Sequence, residues 1–202
     1  EKLLGYFPVK NLNDSLGTKK YLNLLQTATG FRFNIADLMS ALIYSRMVHP
    51  CSKSKTYDEI IPRLYEKYDF SLDQLYSGIG YIGSEYEKII EIYNHQINQK
   101  YKFDTEKTYF DCTNFYFESE RPDEDFVDEV TGEVMKGMRQ YGISKEHRPN
   151  PIVEMGLFMD SKGIPITMCL HPGNTGEQLT AIPLEEDILK MLPGAKFIYC
   201  AD

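Results

Sequence analysis

Tryptophan is absent from the 202 residues, and cysteine occurs only four times. The four thiols, Cys51, Cys112, Cys169 and Cys200, form no Cys-x-x-Cys pair. That scarcity excludes a disulfide scaffold and favours reduced core thiols over a zinc site. Long apolar runs are also missing. The longest, Ile35 to Val48, is interrupted by Asp37 and Arg46, which is too short and too charged to span a bilayer. No basic start followed by an apolar stretch marks a secretory signal, so the cytoplasm is the expected compartment. The chain opens on Glu1 rather than Met and is read as a piece of something longer. A net positive charge is lacking too, the formal total being −8. An acidic chain taken whole is a poor start for binding phosphate backbones.

What is present is ordinary for a soluble globular chain: 42% apolar and 26% charged residues. That is enough for one large domain or two small ones. The charge is uneven. Residues 1–104 carry 13 Lys and Arg against 12 Asp and Glu, a net of +1, while residues 105–202 carry 9 against 18, a net of −9. A boundary is expected between about 100 and 106, giving a helical domain over 1–104 and a second domain over 105–202.

The first part reads as helical. Asn34 is a candidate N-cap before Ile35, Leu38, Met39, Leu42, Ile43 and Met47, which recur at helical spacing until His49-Pro50. Tyr57 to Tyr68 is a second amphipathic stretch, shortened by Pro62. Ser71 to Gln74 and Ser84 to Glu87 read as capping boxes of two further helices, with Gly78, Gly80 and Gly83 between them. Residues 1–20 are weakly patterned. Lys53, Lys55, Arg63 and Lys67 make a modestly basic stretch, and a helix-turn-helix over 34–68 stands beside a packing or dimerisation role. The tyrosines at 65, 68, 76, 81, 86 and 93 suit core and interface more than base stacking.

The second part reads as strands. Thr108 to Phe117 is rich in aromatic and β-prone residues. Glu118 to Glu133 holds eight acids and one base, Arg121, and reads as a solvated loop or ragged hairpin. Ile152 to Asp160 and Ile164 to His171 flank the Ser161-Lys-Gly163 turn as a β-hairpin. A helix from about Glu177 to Leu192, interrupted near Pro183, precedes a fourth strand over Lys196 to Asp202. The fold class expected is α/β (α+β overall), a helical domain followed by a partial mixed sheet.

Asp111 lies inside the first strand and Asp202 at the end of the fourth. A carboxylate in a buried strand is costly unless it is paired, hydrogen-bonded or bound to metal. Either acid alone more often caps a turn or faces solvent. Two acids on neighbouring strands, about 4.8 Å apart, can share one divalent cation. Without it they repel by about 1–4 kcal/mol, and hard oxygen ligands favour Mg²⁺ or Mn²⁺.

Five segments taken together carry a resemblance. They are Tyr109-Phe-Asp-Cys-Thr-Asn114, Tyr141-Gly-Ile-Ser-Lys-Glu-His-Arg-Pro-Asn150, Gly163-Ile-Pro-Ile166, His171-Pro-Gly-Asn-Thr175 and Phe197-Ile-Tyr-Cys-Ala-Asp202. In this order and spacing they resemble the catalytic core of insertion-sequence DDE transposases. Arg46 to Lys53 adds a weaker echo in the helical part. The resemblance implies an RNase H-like fold whose first and fourth strands are neighbours, which would bring Asp111 and Asp202 together. It implies that Asp111 and Asp202 are the first two of three catalytic, metal-holding acids. The third, a Glu on a later helix, would follow residue 202, so the 202 residues are expected to be inactive alone while the parent is active.

The implied chemistry uses two Mg²⁺ or Mn²⁺ ions about 4 Å apart. A transposon end is cut, and its 3′-hydroxyl then attacks target DNA. The implied partners are terminal-repeat DNA, target DNA and a second copy in a homodimeric complex, with no membrane. The same resemblance makes Lys145, His147 and Arg148, the one compact basic cluster of the acidic half, candidates for DNA phosphates; the plain alternative is a solvated loop before Pro149. Asn174 and Thr175 are read as helix caps, and His171 as structural. Two other functions compete: a transposase-derived DNA-binding or assembly protein without catalysis, and an RNase H-like nuclease without strand transfer.

Overall fold

The structure, a computed structural model, describes residues 1–127, 132–147, 149–191 and 199–200. The chain divides into two compact units, Glu1–Lys102 and Phe103–Asp202. Among the described residues no helix is long and apolar enough to cross a membrane.

The first unit is helical throughout. Helix α1 (Phe7–Leu16) ends at Gly17, whose φ of 66° is the left-handed conformation that glycine adopts without strain. Helix α2 (Lys19–Gln26) follows at once. So most of the weakly patterned residues 1–20 are helical, from Phe7 onward. Helix α3 (Ile35–Val48) opens where Asn34 accepts the Asp37 amide at 2.8 Å. It buries Ile35, Ala36, Leu38, Ala41 and Tyr44, so it runs through the middle of the unit. Gln26 fastens the intervening loop, accepting from the Ile35 amide and donating to the Phe33 carbonyl.

The second amphipathic stretch is not one regular helix. It comprises a turn of α-helix, α4 (Lys53–Lys55), a π-helical segment (Thr56–Ile60) and a 3₁₀ turn (Ile61–Arg63) that closes on extended Leu64. Pro62, without an amide hydrogen, cannot continue an α-helical ladder. The second helix of a helix-turn-helix over 34–68 is therefore broken. Lys55 and Arg63 there are engaged by Glu59 and Glu1.

Helix α5 (Leu72–Ser84) begins with the expected capping box, Ser71 and Gln74 exchanging side-chain and backbone bonds. It then continues through Gly78, Gly80 and Gly83. These glycines do not separate two helices. A Cβ at Gly78 would stand 2.5 Å from Leu38 Cδ1, so that glycine lets α5 lie close on α3. Helix α6 (Tyr86–Tyr101) starts at Glu85 without a side-chain cap. Ser84, expected to cap it, instead donates back to the Tyr81 carbonyl as the last residue of α5. One buried polar network lies in this unit: the Asn13 side chain donates to Tyr44 and accepts from Thr18 and Tyr93.

The second unit holds a four-stranded sheet. Strand β1 (Thr108–Tyr116) pairs antiparallel with β4 (Ile152–Met159), and β4 pairs antiparallel with β5 (Pro165–Pro172). Between β1 and β4 a short ribbon, β2 (Phe126–Val127) with β3 (Val134–Met135), occupies the acidic segment. Helix α7 (Glu177–Met191) is continuous across position 183, so the expected interruption is absent. It leads to β6 (Tyr199–Cys200), which runs parallel to β1 with Thr108 opposite Tyr199 and Tyr109 opposite Cys200. Parallel pairing requires such a crossover. The fold is thus mixed α/β, with the first and last strands of the sheet side by side. One face of β1 buries Phe110 and Cys112 with Phe158, Ile166, Cys169, Ala181, Leu184 and Ile188. Gly156 admits this packing, since a Cβ there would meet Cys169 Sγ at 3.0 Å and Phe110 at 3.1 Å.

Candidate active site

Strand alternation decides how Asp111 is presented. Phe110 and Cys112 turn into the core, so Asp111 between them turns out. Its side chain is 61% exposed, so it faces solvent, as either acid taken alone more often does. The strand is apolar on one face only. Asp111 stands opposite Leu157 of β4 and two residues beyond Tyr109, which pairs with Cys200.

A loop over residues 137–147 crosses the end of the sheet and brings the basic segment to Asp111. Gln140 and Ile152 exchange backbone hydrogen bonds at 3.0 and 2.8 Å, and the Gly173 amide donates to the Met138 carbonyl at 3.1 Å. A Cβ at Gly142 would overlap the Gly173 carbonyl oxygen. Glycine is needed there because the 141–150 and 171–175 segments touch backbone to backbone. Ser144 is buried and its hydroxyl reaches Asn114 Oδ1 at 3.5 Å, three residues along β1 from Asp111. Ser144 Oγ also accepts the Glu146 amide, and its carbonyl accepts the His147 amide. From this anchored turn the Lys145 ammonium meets Asp111 Oδ1 at 2.9 Å.

The expected site residues therefore fall into three groups. Asp111 and Lys145 are in contact. His147 is exposed on the same turn, at a φ of 54°. Arg148 and Asp202 lie outside the described residues, and so does any distance between Asp111 and Asp202. Among the described residues no group of three or more His, Cys, Asp or Glu side chains could hold a metal ion. Asp111 is an accessible carboxylate with one oxygen on the Lys145 ammonium.

Two other acids of the sheet were not singled out by the sequence reading. Asp160 is fully buried and accepts backbone amides of Asp104, Lys162 and Ile164 at 3.2, 2.9 and 2.8 Å. Its signal was its place before the Lys162-Gly163 turn, a position where Asp side chains commonly take up backbone amides. Glu154 is 4% exposed, in register with Asn114 on β1 and His171 on β5. It meets the criterion of an acid inside an apolar strand better than Asp111 does. Burial holds the His171 imidazole below its ordinary value of 6.5.

No family model matches the chain, and no curated protein matches it. Among solved structures it is similar to Mos1 transposase in a paired-end complex with the left transposon end. There the TM-score is 0.28 and the identity 15%, over 85% of this chain and 52% of that one. It is also similar to a pre-cleavage Mos1 transpososome, with a TM-score of 0.26 and 16% identity over 85% of this chain and 53% of that one. These likenesses are weak, and the chain spans about half the length of the chains it matches.

Proposed function

We propose that this chain carries the first two acids of a DDE transposase, Asp111 and Asp202, on a partial RNase H-like domain over 105–202. In this reading the helical domain over 1–104 helps bind the ends of the element. One observation carries it: β1 and β6 pair in parallel after the α7 crossover, with Tyr109 opposite Cys200. Each acid follows its member of that pair by two positions in sequence. The ordered motifs of the sequence supply the rest.

Asp111 and Asp202 would hold Mg²⁺ or Mn²⁺, two ions in the complete enzyme. When bound, such ions supply Lewis acidity and an activated water or hydroxyl for phosphodiester chemistry. The chain's own groups then do three things. The carboxylates concentrate negative charge where cations must sit against an anionic backbone. Lys145, His147 and Arg148 meet phosphates and orient the strand. Ser144, Gly142 and Gly173 hold the turn that presents Lys145 and His147. The partners are transposon-end DNA, target DNA and a second copy of the protein, in the cytoplasm.

The test is nicking and joining of labelled transposon ends by the full gene product with Mn²⁺. Joined products that disappear in Asp111→Asn are expected, and the 202 residues alone should give no robust cleavage. Nicking without joining would select the nuclease instead. A second reading, a DNA-binding protein of transposase descent without catalysis, is favoured by the Lys145–Asp111 ion pair, because that carboxylate is already neutralised. Ends bound but never nicked would select it.

A further inference from the structure

We propose that the β2–β3 ribbon is a docking arm for a second copy of this chain. Phe126 and Met135 of one copy seat in an apolar cleft of the other copy's helical unit. The proposal rests on the second copy named in the proposed function and gives that assembly a surface.

Three observations support it. First, the ribbon's apolar side chains are uncovered: Phe126, Val127, Val134 and Met135 are 59%, 60%, 60% and 44% exposed. Phe126 stands opposite Met135 and Val127 opposite Val134, so each face of the ribbon presents one apolar pair. A two-stranded ribbon gains little stability alone in water, so these four residues do not serve the folding of their own unit. Second, the base of the ribbon is fixed without them. The Asp123 carboxylate accepts from Arg139 Nε at 2.7 Å and from the Arg139 amide at 2.9 Å, and the Asp123 amide donates to the Arg139 carbonyl at 2.8 Å. Asp125 accepts the Gly137 amide at 3.0 Å and the Lys136 ammonium at 2.6 Å. A fixed base leaves the arm little freedom to lose on docking. Third, charge selects the partner. Glu118 to Glu133 holds eight acids and one base, which repels nucleic acid at this ribbon and also a second acidic unit, since residues 105–202 sum to −9. Residues 1–104 sum to +1, so the helical unit is the part of a second copy left to receive it. That unit holds a cleft of about 460 Å³, lined by Tyr57, Ile61, Tyr68 and Phe70 and by Lys2 and Lys67. The volume lies in the range of binding clefts. Asp58 and Glu66 line it too, but Glu66 is engaged by Tyr6 and Lys10. Lys2 donates to the Pro62 and Leu64 carbonyls and Lys67 is exposed, so both positive charges remain to meet the ribbon's acids. Exchange of arms between two copies closes a two-fold dimer.

Sedimentation velocity of the chain reads the association, and urea denaturation confirms that each variant folds. The wild type is expected to dimerise. Phe126→Ser combined with Met135→Ser is expected to weaken the dimer by about tenfold or more, as loss of an interface anchor does, with an unchanged urea midpoint. Lys67→Glu is expected to weaken it by about threefold. Benzoylphenylalanine in place of Phe126, irradiated in a mixture of unlabelled and isotope-labelled chains, locates the contact. Crosslinks between the two kinds of chain, onto residues 57–70, are the expected result. A monomeric wild type, a double variant that dimerises like wild type, crosslinks confined within single chains, or crosslinks to another segment each overturn the proposal. Nicking and joining are read separately. Joining by a protein without this dimer overturns the docking arm alone, and a dimer built through the ribbon without joining overturns the catalytic reading alone.

Discussion

At the β4–β5 turn, Asp160 is fully buried and its carboxylate is held by three backbone amides. Asp111, on β1 of the same sheet, faces outward and meets one flexible ammonium. The residue type is the same, and the neighbouring groups set the difference. Fixed amides on a tight turn cannot leave, so Asp160 spends its charge on holding a corner of the fold, where hydrogen bonds to a charged group are strong. A solvated ammonium on a long stem holds Asp111 far less firmly. A sheet can thus hold one acid fast and leave another solvated, through side-chain direction and donor type alone.

The comparison breaks first at Asp160. Asp160→Ala leaves buried amides without acceptors and is expected to destabilise the second unit by about 3 kcal/mol. Urea denaturation checks this, and an unchanged midpoint would mean the corner does not depend on the carboxylate. Next, Gly142→Ala forces a methyl group onto the Gly173 carbonyl oxygen and is expected to cost about 2 kcal/mol. Urea denaturation checks this too, and a midpoint indistinguishable from wild type would show that the close approach of the two segments is not required.

A smaller effect is expected at His171, whose folded value lies below its ordinary 6.5 because burial disfavours the cation. The unfolded chain then binds the extra proton more readily than the folded one between those two values. Stability contributed by the neutral ring is present above about 6.5 and falls as pH drops through that window. His171→Gln should flatten the decline in thermal melts between pH 7 and 5, and an identical slope would remove His171 as its source. The smallest effect is at Asp111. Asp111→Asn loses only an exposed ion pair, so stability should change by less than about 1 kcal/mol in urea denaturation. A large loss of stability there would erase the contrast with Asp160.

Much of the architecture was readable because local rules and tertiary packing agree. Asn34 and the Ser71–Gln74 box cap helices as their side chains suggest, and the Lys162-Gly163 turn joins the expected hairpin. The misreadings occur where packing overrides propensity. Gly78, Gly80 and Gly83 look like breakers, yet Gly78 lies inside α5 because a neighbouring leucine leaves no room for a side chain. The aromatic run of β1 was legible as a strand but not which face is covered; period-two alternation buries Phe110 and Cys112 and exposes Tyr109 and Asp111. That Lys145 meets Asp111, 34 positions away, could not be read locally. It depends on Gly142 packing on Gly173 and on Ser144 reaching Asn114, contacts between segments distant in the chain. The placement of β6 beside β1 came from the family resemblance rather than from any local pattern.

That placement also orders events in time. The β4–β5 hairpin closes over a few residues, whereas Thr108 must find Tyr199, 91 positions later. Contacts between distant segments form slowly because the chain loses more freedom before any pairing rewards it. The meander of β1, β4 and β5 is therefore expected to mature first and β6 to dock last. During synthesis, the strand bearing Asp111 would await its parallel neighbour with one edge open.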